Sequence, residues 1–147
     1  DINKCNDVTK MSLDTLFEQL DIHNVFLGGT ILKPSMVISG DKNSNRADAP
    51  TVAEMTIKRL LDSCPPNLGG IAFLSGGQSD DEATSHLNIM NTSNKNLPWR
   101  VTFSYARAIQ QSALNHWRGK DANISGAQEI LASRAKACSD ASVGSLS

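Results

Sequence analysis

Three short strand-like runs, each followed further along the chain by helical periodicity, set the tightest limit on how this chain can fold. The first is Val25-Phe26-Leu27-Gly28-Gly29-Thr30-Ile31-Leu32, which ends at Lys33. The second, Ile71-Ala72-Phe73-Leu74, is apolar throughout and bounded by glycines, as in a strand buried on both faces. The third, Arg100-Val101-Thr102-Phe103-Ser104, leads directly into a helix predicted from Tyr105 to about Trp117. Strands alternating with helices imply right-handed crossovers and a parallel sheet. Three parallel strands do not close a barrel, and an open sheet of that width is unusual.

The helices have their own signals. Leu13, Leu16, Phe17 and Leu20 form a stripe at i, i+3, i+4, i+7 that predicts a first helix. The segment from Pro34 to Pro50 reads as a polar loop. Thr51 with Glu54 has the form of a capping box, and Ala53, Ile57, Leu60, Leu61 and Cys64 then share one helical face that stops at Pro65-Pro66. Ser79 with Glu82 forms a second box, opening a helix with Ala83, Leu87 and Met90 inward. A last helix after Gly119 is predicted to turn Ile124, Ala127, Ile130, Leu131 and Cys138 to the core. The whole chain reads as a single domain over 1–147, with a flexible tail over 139–147.

A length of 147 residues suits one domain with a sizeable core, and a formal net charge of −1 gives no reason to expect nucleic acid or an anionic membrane as partner. Cys5, Cys64 and Cys138 are odd in number and widely spaced, which reads as reduced thiols. No apolar stretch approaches the roughly 20 residues of a membrane span, and no secretory signal is visible, so a cytoplasmic location is expected. The chain begins Asp1-Ile2-Asn3 without an initiator methionine, as expected of part of a longer protein.

Candidate chemistry gathers at one address, the C-terminal ends of the predicted strands. Pro34 drives the backbone of Lys33 toward extended geometry, which places the lysine at a strand end with its stem among apolar neighbours. An amine there loses solvation as a cation, its pKa falls, and the free base becomes a nucleophile suited to Schiff-base formation. A solvated surface lysine is the plain alternative. Ser75-Gly76-Gly77 ends the second strand, where open backbone N–H groups and a helix N-terminus suit an anion, or simply a turn. Arg107 lies in the first turn of the helix after the third strand, where a guanidinium suits phosphate or faces solvent. Tyr105 adjoins Arg107 and is the aromatic expected nearest the site. His23, His86 and His116 show no ligand spacing, so no metal site is expected. Asp80, Asp81 and Glu82 read as helix N-terminal residues, and Trp99 and Trp117 as packing.

Gly29-Thr30-Ile31-Leu32-Lys33-Pro34-Ser35-Met36-Val37 resembles the Schiff-base lysine motif of class I fructose-bisphosphate aldolases. Phe73-Leu74-Ser75-Gly76-Gly77-Gln78-Ser79 and Phe103-Ser104-Tyr105-Ala106-Arg107-Ala108 resemble that family's two phosphate-binding motifs, at matching spacing. The resemblance implies an α/β fold, a parallel (β/α) barrel of the TIM type, of which this chain carries the last three strand–helix units and a C-terminal helix. It implies that Lys33 condenses with a ketose carbonyl. Ser75, Gly76, Ser104 and Arg107 would bind the phosphate of the dihydroxyacetone half, with Leu74, Tyr105 and Ala106 lining the pocket. The implied activity is reversible cleavage of fructose 1,6-bisphosphate in glycolysis and gluconeogenesis, with no cofactor. The implied partners are the sugar phosphate, the rest of the barrel and further copies, commonly in a tetramer.

The same resemblance places the family's acidic residues and second lysine for proton transfer outside these residues. Gly28 stands where the family usually has glutamate, which removes a charge near Lys33. Ala106 stands where it has glycine, so a methyl group crowds the phosphate and a positive φ would be costly. A sugar-phosphate-binding or scaffold half-barrel without turnover, or another Schiff-base sugar-phosphate lyase, are the competing readings.

Overall fold

The strand alternation is realised as a sheet in simple sequence order. A computed structural model describes residues 1–146. Strands β1 (Ile31–Leu32), β2 (Gly70–Phe73) and β3 (Val101–Phe103) lie side by side, all parallel. The register pairs Ile31 with Gly70, Leu32 with Ile71, Ile71 with Val101 and Phe73 with Phe103. Helix α1 (Ile2–Ile22) precedes β1, α2 (Ala49–Ser63) joins β1 to β2, α3 (Asp80–Ser93) joins β2 to β3, and α4 (Arg107–Trp117) and α5 (Ile124–Ala141) follow.

Side-chain alternation sorts the sheet into two faces. Leu32, Ile71, Phe73, Val101 and Phe103 join a core with Ala53, Ile57 and Leu60 of α2, Ala83, Leu87 and Met90 of α3, and Cys138 and Ala141 of α5. Phe73 at its centre is fully buried. The opposite face carries Ile31, exposed, with Ala72 and Thr102, both half-buried. Gly69 leads into β2 where only glycine fits, because a Cβ would meet the carbonyl oxygens of Gly28 and Thr30 at 2.7 and 2.9 Å.

Several elements differ from their predicted form. Of the apolar run before Lys33, only Ile31 and Leu32 are strand. Leu27–Gly29 forms a 3₁₀ turn instead, and its Leu27 carbonyl accepts the Gly69 amide at 3.0 Å. Helix α2 is capped by Asp48, whose carboxylate accepts from the Thr51 amide at 3.0 Å, and not by a Thr51–Glu54 box. The helix can begin that early because Pro50 falls in its first turn, where no N–H is needed. The Ser79–Glu82 box is present with both reciprocal bonds. The loop after Lys33 is anchored more deeply than its polar composition predicts. Met36, Val37 and Ser39 are buried, and the Val37 amide donates to the Thr56 hydroxyl at 2.9 Å.

The C-terminal half brings three more corrections. Tyr105 precedes α4 and does not start it. Ile124 and Leu131, expected in the core, line an open apolar cleft facing Leu114 and Trp117 of α4, while Cys138 and Ala141 make the core contact. The tail predicted from 139 is helical to Ala141. Beyond it the Leu146 amide donates to the side-chain oxygen of Asn88 at 3.1 Å, because Gly144 with φ +69 folds the chain back on α3. Ser147 lies outside the described residues, among which no helix is long and apolar enough to cross a membrane.

Candidate active site at the strand ends

Backbone hydrogen bonds lace the three strand ends together just past the sheet. The Leu74 amide donates to the Pro34 carbonyl at 3.1 Å, and the Ser104 amide donates to the Phe73 carbonyl at 2.8 Å. Lys33, the Ser75 turn and the Ser104–Arg107 segment therefore leave one edge of the fold together. Extending the alternation one residue past each strand puts Lys33, Leu74 and Ser104 on the face that the helical core leaves open. Lys33 and Ser104 are exposed there and Leu74 is half-buried.

Lys33 differs from expectation in its surroundings. It is exposed in the described structure, where the sequence predicts a shielded stem. The reason is its strand: β1 is an edge strand of the described sheet, so one flank of the lysine stem has no partner. Among the described residues, no carboxylate lies within ion-pair distance of Lys33 or Arg107. Two unneutralised cations at one sheet edge suit an anionic ligand.

The turn after β2 is held from below. The Ser75 carbonyl accepts the Gln78 amide at 3.0 Å and the Gln78 side-chain amide at 3.3 Å, and Gly77 sits at φ +74, a conformation that favours glycine. Helix α3 begins immediately afterwards, with Asp80, Asp81 and Glu82 in its first turn. The Ser79 backbone N–H, donating to Glu82, is the chief cause holding that carboxyl below its ordinary range, and the Arg46 guanidinium 3.1 Å away adds to it.

After β3, Ala106 adopts φ −100, so the positive-φ cost expected of an alanine there does not arise. Arg107 is the first residue of α4 and is exposed. Tyr105 is the clear correction among the predicted pocket residues. It is buried, its hydroxyl donates to the Ala83 carbonyl at 2.9 Å, and its ring tilts against Phe103 at 5.6 Å. Burial pushes its phenol up, and it serves the core behind the site. Sequence reasoning gave neither Gln78 nor His86 a role in the site, and did not pair them, yet they touch each other at 2.6 Å. Their spacing follows no motif, so only the fold reveals them.

Parallel strands in sequence order, each followed by a helix against the same face, define a segment of a (β/α) barrel, with its candidate chemistry at the C-terminal strand ends. Over residues 1–147 the chain matches the family model described as fructose-bisphosphate aldolase class-I, glycolytic, and it belongs to that family. It is 42% identical over 144 residues to the cytoplasmic isozyme of fructose-bisphosphate aldolase from Spinacia oleracea, covering 98% of this chain and 40% of that protein. Fructose-bisphosphate aldolase 5, cytosolic, from Arabidopsis thaliana is 45% identical with the same coverage. A solved structure of the Plasmodium falciparum aldolase, in complex with TRAP and a small-molecule inhibitor, superimposes with a TM-score of 0.94 at 41% identity. That match covers 100% of this chain and 42% of the other. The chain thus spans about two-fifths of the length of the relatives it matches.

Proposed function

We propose that this chain carries the imine-forming and phosphate-binding part of a class I aldolase that cleaves fructose 1,6-bisphosphate. The observation that carries the reading is the lacing of strand ends through Pro34, Leu74, Phe73 and Ser104, which sends all three functional segments off one edge. In this reading the Lys33 amine attacks the ketone carbon of the open-chain sugar, and loss of water leaves a protonated imine. The bond between the third and fourth carbons then breaks, and its electron pair moves to the iminium nitrogen, giving an enamine. A base takes the proton of the fourth-carbon hydroxyl as glyceraldehyde 3-phosphate leaves. The enamine is protonated at its carbon terminus, and water releases dihydroxyacetone phosphate and restores the amine. The proton-transfer groups come from outside the three units described.

Ser75, Gly76, Ser104 and Arg107 hold the phosphate of the dihydroxyacetone half, with Leu74 and Ala106 beside them. A fixed phosphate orients the reacting carbons over Lys33, and orientation of this kind lowers barriers by several kcal/mol. The relatives' names support a cytoplasmic location, and assembly with the rest of a barrel and into a tetramer fits the family resemblance. The presence of Gly28, which removes a charge near Lys33, favours a second reading, a sugar-phosphate-binding half-barrel without turnover.

Borohydride reduction in the presence of dihydroxyacetone phosphate separates the two. The expected result is a stable mass increase on the Lys33 peptide, absent from Lys33→Met. Reversible phosphate binding without an adduct overturns imine chemistry in favour of the second reading.

A further inference from the structure

We propose that His86 is a positioning residue for the phosphate-binding turn, acting through the side chain of Gln78 on the Ser75–Gly76 peptide. The inference rests on the sugar-phosphate reading of the turn and adds to it a residue that no motif contains.

The hydrogen bonds run in one direction. The Gln78 side-chain nitrogen donates to the Ser75 carbonyl at 3.3 Å, so the amide oxygen of Gln78 faces the other way. That oxygen lies 2.6 Å from Nδ1 of His86. An amide oxygen only accepts, so Nδ1 must carry the hydrogen, which selects one tautomer of the neutral ring. His86 is 5% exposed, and burial holds its pKa below the ordinary value while Glu82 opposes the shift and Arg46 reinforces it. The neutral Nδ1–H form is therefore favoured near neutrality.

The consequence reaches the ligand side through peptide planarity. The Ser75 carbonyl and the Gly76 N–H belong to one trans peptide unit and point in opposite directions. Drawing the carbonyl toward Gln78 turns the Gly76 N–H away from the protein body. Among the described residues that N–H has no hydrogen-bond acceptor, so it is available to a phosphate oxygen. His86 thus holds Gln78, Gln78 holds the Ser75 carbonyl, and the Gly76 donor keeps its aim before any ligand arrives.

The test is titration of the 147-residue chain with inorganic phosphate, followed by phosphorus NMR, for the unaltered protein and three variants. His86→Phe fills the space without a donor, His86→Asn restores an N–H at the Nδ1 position, and Gln78→Met removes the relay. Phosphate affinity is expected to fall by about tenfold in His86→Phe and Gln78→Met, the scale of one hydrogen bond. In His86→Asn it is expected to stay within about twofold of the unaltered chain. Thermal melting of each protein separates loss of fold from loss of aim, and the relatively open Gln78 position keeps one arm readable if His86→Phe unfolds. Equal affinity in the unaltered chain and Gln78→Met overturns the inference and leaves the phosphate site standing. So does a His86→Asn protein that melts like the unaltered chain yet binds as weakly as Gln78→Met. If the unaltered chain itself ignores phosphate, the reading of the turn fails first and the inference with it.

Discussion

The Leu74 amide donates to the Pro34 carbonyl at 3.1 Å, two residues past the end of β1 and one past the end of β2. The bond continues the sheet ladder past the assigned strands, so the backbone following Lys33 runs beside the backbone entering the Ser75 turn. Proline has no N–H, but its carbonyl remains a strong acceptor, so a residue that cannot donate to a ladder still receives a bond from it.

Tyr105 separates core from pocket in a single substitution. Tyr105→Phe keeps the ring against Phe103 and removes the bond to the Ala83 carbonyl, so stability should fall by about 1 kcal/mol with phosphate affinity unchanged. Urea denaturation together with a phosphate titration checks both halves. A loss of affinity without a loss of stability would return Tyr105 to the pocket wall.

Arg134 ties three elements together. From α5 its guanidinium donates to the Asp80 carbonyl at 2.6 Å, to the Asp81 carboxylate at 2.9 Å and to the Ala108 carbonyl at 3.3 Å, holding the N-terminal turns of α3 and α4. Arg134→Met should destabilise the fold by about 2 kcal/mol, chiefly through the two shielded carbonyl bonds. The Asp81 end is almost fully exposed and contributes little. Arg134→Lys should recover only a minor part, because an ammonium group does not span three separate acceptors. Urea midpoints of the three proteins decide it.

The capping box gives α3 an acid-sensitive start. The folded-state pKa of Glu82 lies below its ordinary 4.5, so its contribution is fully present above pH 4.5 and is lost as pH falls through the folded value. Ser79→Ala should cost about 1 kcal/mol at pH 7, where the Ser79 hydroxyl accepts from the Glu82 amide. Glu82→Gln should cost stability at pH 7 and cost less at pH 3, because the lowered carboxyl loses its advantage as it is protonated. Denaturation curves at the two pH values check the sign, and a gap that widens in acid would contradict it.

The thiols should react in order of burial. Cys138 is fully buried, Cys64 nearly so, and Cys5 half-buried. Burial pushes Cys64 up to about 11 and also raises Cys138, so neither offers much thiolate at pH 8. Brief iodoacetamide treatment at pH 8 should label Cys5 alone, and all three should react in urea. Peptide mass spectrometry reads the result.

What could be read without coordinates followed the range of the interaction. The Ser79–Glu82 box spans three residues and closes on itself, so its sequence form and its structure agree. The Thr51–Glu54 box has the same form and failed, because Asp48 and Pro50 just upstream started the helix earlier. Leu131 and Tyr105 failed for a longer-range reason: each burial depends on which element stands opposite. Tyr105 found the Ala83 carbonyl 22 residues away, whereas Leu131 met only the open cleft beside α4.

From its own order of residues this chain determined a parallel α/β arrangement, because strand and helix periods are local and crossovers have one hand. It likewise determined that Lys33, Ser75, Ser104 and Arg107 follow strand ends, because proline, glycine and polar residues end strands wherever they occur. The tertiary structure alone decided that Tyr105 turns to the core and that His86 reaches the Ser75 peptide through Gln78. The first contact joins residues 22 apart, and the second joins a turn to a helix eight residues on, so neither follows from a single local period.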